Sequence, residues 1–437
     1  MNLPQILSLI LLVVILVLAV WRHVNIGLLG FSAAAIMVMA TTAIADGSDT
    51  NTVLSSKDVL SHFPGAIVTL LIGVSLLFAH LEKSGGLSWF TDQIYAKMGH
   101  RTNIVPWIGY FIGFAISTAG AFSTASITLL VPVIAALGRK HPRLFFICEM
   151  AAIIGANTGA LSPINPTGQV ILDAAKKAHV EYSPWLVWFL GMLISFVLVI
   201  ALQIVFQDKR VVETSDSKAP EKGFVLLKPI KQENGDNHQL QPFYAVCSTI
   251  AVLIFLILVI FAKANVGLTA LTLAVIMMLF FTQQSKDFVK KIPWSAVVVI
   301  SGLLVFIGTM MQVDTMKAVE QGLLSMTSSK IALLFMLAYL TTFLSNVESS
   351  TLGVISLMIP MVFTIFGDSP QISLILTACA APAMLSVVNP IHIAGTLVVS
   401  VTEEKQQEMM FKRLLIIAFA TVPFFPGLAM IVPALMM

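Results

Sequence analysis

The sequence predicts an all-α polytopic membrane protein with two inverted repeats, about 10 transmembrane helices, two re-entrant hairpins and two broken helices. Three observations predict this. Hydrophobic residues make up 57% of the 437 residues and charged residues 11%, against about 25% charged in soluble domains. The phrase Leu161-Ser162-Pro163-Ile164-Asn165-Pro166 returns as Leu385-Ser386-Val387-Val388-Asn389-Pro390, both times inside apolar sequence. Other features return in the same order. Gly27 pairs with Gly267, Pro64 with Pro293, Ser117 with Ser345 and Asn165 with Asn389, at offsets of 240, 229, 228 and 224 residues. A slow drift of this kind is what small insertions and deletions leave in a duplicated unit.

A spanning helix needs about 20 mostly apolar residues. The first candidate, 3–20, has no basic n-region and no small-residue cleavage site, and Trp21-Arg22 follows it. It is expected to be a retained helix rather than a signal peptide. Spans follow at 25–44 and 64–81. Residues 82–103 are polar with scattered Leu87, Trp89, Phe90, Ile94, Tyr95 and Met98, the pattern of an interfacial amphipathic helix. Residues 312–330 are its weaker counterpart. His80 and Glu82, near a helix end, are expected to snorkel to the interface. The apolar stretch 104–138 carries a polar cluster in its middle. Its halves are short for two crossings, so a re-entrant hairpin fits better. The stretch 144–172 is long enough for a helix, an unwound middle and a second helix. Its break falls at Asn165-Pro166, because proline lacks an amide hydrogen and disfavours helix in the residue before it.

A span at 184–206 closes the first repeat, residues 1–206. Residues 207–241 are polar, with Pro, Lys, Asp and Asn throughout, and form a cytoplasmic linker. The second repeat, 242–437, runs in the same order. It has spans at 242–262, 266–282 and 293–311, a hairpin at 330–366, a broken helix at 371–400 and a last span at 411–434.

Orientation follows from the basic residues. With both hairpins re-entrant and the N-terminus outside, Lys57, Lys176, Lys177, Lys263, Lys317 and Lys330 fall outside. The remaining 19 of 25 Lys and Arg fall inside. Both termini are then external, the linker is cytoplasmic, and the halves have opposite orientations. A multi-pass protein of the cell (inner) membrane is the expectation.

The net charge of +3 is small and dispersed, which argues against a nucleic-acid partner. Cys148, Cys247 and Cys379 lie in apolar segments without metal-ligand spacing and are read as small core residues. No nucleophile–base motif and no phosphate-cradling Gly-rich loop occur. An enzyme, direct ATP drive and a resident cofactor are not expected.

The candidate site lies where the helices break. Backbone carbonyls freed in a bilayer survive only where they line a cavity or meet protein, and paired breaks in two halves mark transporter binding sites. The first hairpin tip runs from Ser117 and Thr118 to Ser123 and Thr124; the second holds Ser345, Asn346, Glu348, Ser349 and Ser350. Hydroxyls, amide carbonyls and free backbone carbonyls are hard ligands for a small cation. Helix N-termini beside them attract carboxylates. Around the first break, Ser162, Asn165, Pro166 and Thr167 are expected to line a substrate site, with Asn157 and Thr158 nearby as ion ligands. Around the second, Asn389, Pro390, His392 and Thr396 take the same place, with Ser386 as an ion ligand. Ser123, Ser345, Asn346 and Glu348 complete the ion set, with Na+ at the tips. Glu348 is read as a coupling-proton site or cation ligand, or else as a neutral structural residue. Glu149 is expected to pair with a nearby Arg or Lys. Gly155 and Gly159 are read as points of bending.

Two repeats, each with a polar-tipped hairpin and an Asn-Pro-broken helix, resemble the ion transporter superfamily, which includes the divalent anion:sodium symporters. The resemblance covers nearly the whole chain. Through Asn25-Ile26-Gly27-Leu28-Leu29-Gly30, Phe63-Pro64-Gly65 and Gly159-Ala160-Leu161-Ser162-Pro163-Ile164, the first half is most similar to dicarboxylate carriers of the malonate-carrier (MatC) type. Ser345-Asn346-Val347 matches the superfamily's tip motif, while Ser117-Thr118-Ala119 has Thr where Asn is usual. The resemblance implies secondary transport of a small carboxylate such as malonate or a C4 acid. It also implies symport coupled to Na+ or H+, elevator-like movement and a homodimer. An antiporter or an oxyanion exporter on the same fold is the alternative.

Overall fold

The computed structural model describes residues 2–22, 24–45, 53–86, 105–140, 142–206, 241–327, 329–347, 351–385, 388–390 and 392–436. The described residues form an all-helical protein. The first half contains α1 (Leu3–Arg22), α2 (Ile26–Ala45), α3 (Ser56–Ser61) and α4 (Gly65–Lys83), then α5 (Val105–Thr118), α6 (Ser123–Lys140), α7 (Pro142–Gly159), α8 (Pro166–Lys177) and α9 (Pro184–Phe206). The second contains α10 (Pro242–Ile260), α11 (Val266–Phe280), α12 (Phe288–Lys291), α13 (Trp294–Gln312) and α14 (Thr315–Met326). It continues with α15 (Lys330–Val347), α16 (Thr351–Phe366), α17 (Ile372–Leu385), α18 (Ile393–Val401) and α19 (Glu404–Met436).

Local signals set these boundaries. Asn25 and Asn265 accept amides of the first turns of α2 and α11, as side-chain caps do. Ser55 and Asp58 form a reciprocal capping box on α3. Among the described residues, six stretches are long and apolar enough to cross a membrane. Their outer faces are oily, with Met39, Ile204, Phe243 and Leu435 exposed, as lipid contact requires.

The stretch 104–138 holds α5 and α6, and 330–366 holds α15 and α16; 144–172 holds α7 and α8, and 371–400 holds α17 and α18. Gly120 turns the first tip with φ +117°, a conformation open to glycine and rarely to others. The amphipathic counterpart at 312–330 is the helix α14. The interfacial helix expected within 82–103 lies, from residue 87, outside the described residues. So does the linker, except Gln241.

The repeated glycines meet one another. Gly27 of α2 lies against Val298 and Val299 of α13, and Gly30 against Gly302 and Leu303. In the same way Gly267 of α11 lies against Leu70 of α4, and Gly73 against Gly267 and Leu271. A methyl on Gly73 would sit 2.7 Å from the Gly267 carbonyl oxygen, and one on Gly302 would strike the Gly27 carbonyl. Each repeat thus packs its first glycine helix against the second glycine helix of the other repeat. Backbones approach this closely only where side chains are absent.

The register also fixes the relative directions of these helices. Along both pairs the contacts advance together, so α2 runs parallel to α13 and α11 to α4. His62, just ahead of α4, lies beside Gly308 and Gln312 near the end of α13. Helix α4 therefore starts where α2 ends and runs back. Helix α13 runs with α2, and its start meets the end of α4 through Lys291 and Glu82, so α4 and α13 are antiparallel.

Gly155 and Gly159 lie within α7, where a Cβ would strike the Tyr110 and Phe114 carbonyls of α5. One expectation is corrected here. His80 does not snorkel: it is fully buried, its Nδ1 2.7 Å from the Tyr244 hydroxyl and its ring edge-on to Phe288 at 4.7 Å.

Gly302→Ala is expected to cost about 1–3 kcal/mol by overpacking. Gly65→Ala, with open space around it, is expected to leave stability within about 1 kcal/mol. Thermal-stability profiles of the two detergent-solubilised variants check this.

Candidate functional site

In the first half, the break is fastened to the hairpin tip. Asn165 caps α8, its Oδ1 accepting the Thr167 amide at 3.0 Å. Its Nδ2 donates to the carbonyls of Ser117 and Ala121 at 2.8 and 2.7 Å. One buried amide thus holds both sides of the tip and the start of the next helix. The Ser162 hydroxyl donates to the Thr118 carbonyl at 3.0 Å. The Ser117 hydroxyl lies 3.0 Å from that of Ser126. The Thr118 hydroxyl accepts from the Trp188 indole of α9 at 3.1 Å. The Gln169 amide donates to the Pro163 carbonyl.

The second half repeats the device with different side chains. Asn389 Nδ2 donates to the Asn346 carbonyl at 2.7 Å. His392 occupies the cap position of α18 and places Nε2 2.9 Å from the Ser345 carbonyl. A carbonyl only accepts, so Nε2 carries the hydrogen. The Pro390 carbonyl accepts the Thr396 hydroxyl at 2.9 Å. Asn346 donates to the Thr342 carbonyl within its own helix.

Two residues from the expected site hold buried polar atoms without a hydrogen-bond partner among the described residues: Asn157 Nδ2 and Ser345 Oγ. Thr158 differs, its hydroxyl bonding back to the Ile154 carbonyl. Pro166 and Thr167 are buried in the first turn of α8. Ser123 opens α6 at the tip, half-buried. Glu348 and Ser386 lie outside the described residues, so the structure carries no statement about them. Glu149 is 0% exposed, and neither carboxylate oxygen has a hydrogen-bond partner among the described residues. The expected ion pair is absent there; the nearby Arg413 lies instead over the Phe146 ring at 5.3 Å.

A cavity of about 370 Å³ opens beside the first tip. It runs between Val74–Glu82 of α4 and Ala121–Thr128 of the hairpin, with Lys291 and Pro293 at its rim.

The sequence matches the citrate transporter family (CitMHS) over residues 13–384. The chain belongs to the citrate transporter family. The match is to this family, not to the malonate carriers that the first half resembles. No curated protein matches the chain. Among solved structures, the YdaH transporter of Alcanivorax borkumensis, whose topology is described as unusual, is similar in fold. The TM-score is 0.54 at 13% identity, covering 98% of this chain and 97% of that one. With its many apolar helices, this member of the citrate transporter family is a multi-pass membrane transporter.

Sequence reasoning missed Trp188, Ser126 and Gln169, which complete the fastening in this citrate-family chain. Gln169 sits one turn beyond Pro166, a spacing that brings it back over the break. Trp188 and Ser126 carry no such signal, because their partners come from other helices.

Asn165→Asp keeps the cap acceptor but loses both donated bonds and turns a carboxylate toward two carbonyl oxygens. A loss of about 2–4 kcal/mol is expected, with Ala119→Cys at the tip becoming more reactive to a water-soluble thiol reagent in that background.

Proposed function

We propose that this chain is a secondary active transporter of small carboxylates. Citrate is the first candidate, and dicarboxylates such as malonate or a C4 acid come next. Entry is by symport with Na+ or H+, and no resident cofactor takes part. The single observation that supports this most is the pair of hairpin tips fastened to two helix breaks. That arrangement brings helix starts, backbone carbonyls and small polar side chains together within the apolar body of the fold. Helix starts suit carboxylate oxygens, and carbonyls suit a cation.

The substrate set in this reading is Ser117, Thr118, Ser162, Asn165, Pro166, Thr167, Ser345, Asn346, Asn389, Pro390 and His392. Asn157 joins it, since the unbonded Nδ2 is a donor and fits a carboxylate better than a cation. The hairpins and broken helices move together, elevator-like, against the glycine-packed frame of α2, α4, α11 and α13. A homodimer in the cell (inner) membrane, with external termini and a cytoplasmic linker, belongs to the same proposal.

Reconstituted vesicles test it. Labelled citrate is expected to accumulate under an inward Na+ or H+ gradient and to equilibrate without one. Uptake indifferent to both gradients would falsify the coupling. Cation–proton exchange in the same vesicles without any carboxylate would instead establish the antiporter alternative.

A further inference from the structure

Two cavities lie at opposite ends of α13, which at 19 residues is about 28 Å long. The first is the 370 Å³ cavity, with Pro293 just ahead of the helix on its wall. The second, about 560 Å³, begins at Met311 and Asp314 and includes Glu181 and Asp368. Their charges differ. Three carboxylates line the second, and its lysine, Lys317, is bonded to Asp314 at 2.8 Å. The lining of the first holds one cation, Lys291, and one anion, Glu82. Beside it, Asp287 is held below its usual range by its hydrogen bond to Lys290, with Lys286 and Lys83 adding to the effect. The lining itself is balanced, Lys291 against Glu82. A cleft with one sign of charge repels ions of the same sign, so an anion is repelled from the second cavity and not from the first.

Lys291 is built into place. It ends the short helix α12, whose Phe288 is buried against His80. Its ammonium stands 5.9 Å over the Phe288 ring and 3.3 Å from Glu82 Oε2. The pair is partly exposed, at 34% and 42%. A pair this wet contributes little to stability and exchanges easily. Glu82 shows where a carboxylate sits when it meets Lys291 at the cavity rim. The same wall carries Ser75, Thr124, Ser126 and the exposed Thr128, together with the tip residues Ala121 and Phe122.

We propose that Lys291 is the residue on which an incoming carboxylate docks at the mouth of the 370 Å³ cavity, and that Glu82 is a built-in carboxylate which occupies Lys291 until the substrate displaces it. This rests on the carboxylate-transport reading above. One carboxylate of a di- or tricarboxylate takes the Glu82 position, and the rest of the molecule points toward the hairpin hydroxyls. Glu82 then acts as a competitor: it weakens binding and discourages entry of ions with too little charge to replace it.

The test is citrate binding to purified full-length protein in detergent, followed by calorimetry and by thermal shift, with Tm measured first without citrate. Lys291→Gln is expected to bind citrate roughly tenfold more weakly, and Lys291→Arg close to wild type. Glu82→Gln is expected to bind several-fold more tightly, because the competitor is gone. The double variant is expected to match Lys291→Gln, which shows that Glu82 acts through Lys291. An ion pair that only braces the fold predicts the reverse: Glu82→Gln and Lys291→Gln would lower Tm alike, and Glu82→Gln would not tighten binding. That result overturns the inference while carboxylate transport stands. A wild-type protein that binds neither citrate nor a dicarboxylate sinks the transport reading, and the docking role goes with it.

Discussion

A broken helix inside an oily body leaves backbone carbonyls that must be satisfied by protein. The rest of this structure depends on how that demand is met. Asn165 answers it in the first half by donating to two carbonyls of the hairpin tip while capping the helix that follows the break. Asn389 and His392 share the task in the second. A single hydrogen bond contributes about 1 kcal/mol net, but an orphaned buried group costs more. Fastening is therefore what allows the chain to interrupt helices here at all. It also joins hairpin to broken helix, so neither element moves alone.

The frame is held by a different force. The pairs α2–α13 and α4–α11 meet backbone to backbone at Gly27, Gly302, Gly73 and Gly267, with no room for a methyl group. Dispersion between closely fitted surfaces holds them, since lipid removes most of the hydrophobic drive between helices. Such contacts are short-ranged and stiff. The site regions are joined by hydrogen bonds and bordered by a cavity at α4. The frame and the fastened tips and breaks are thus held by different forces, with a cavity between them at α4.

The parts of this arrangement legible in the sequence were those written along one segment. Asn-Pro marked both breaks because proline acts on its own neighbour. Gly27 and Gly73 stood out because their counterparts recur in order, though only the structure shows that they touch across the repeats. What stayed hidden depends on partners from distant helices. His80 looked like a residue near a helix end, yet Tyr244 and Phe288 bury it. Glu82 looked like an isolated interfacial acid until Lys291, more than two hundred residues away, met it. Thr118 belonged to a tip expected to face ligand, and Trp188 takes its hydroxyl instead. Glu149 was expected to find a cation by proximity in sequence, but helix α7 turns it into an apolar interior.

The two halves are alike in plan and unequal in hydrogen bonding. At the first tip and break, the hydroxyls of Ser117, Thr118 and Ser162 are all engaged with protein, and both hydrogens of Asn165 are placed. At the second, the Ser345 hydroxyl has no partner among the described residues while its own carbonyl is held by His392. The departure at Thr118, where the second half has Asn346, falls on this same inequality. Threonine there serves α9 and the frame of its own half, and its carbonyl serves Ser162. The internal bonds at the first tip fix the geometry of the fold there, while the Ser345 hydroxyl at the second keeps unused polar capacity among the described residues. Symmetry in this chain is a property of the backbone, and its chemistry rests on where that symmetry fails.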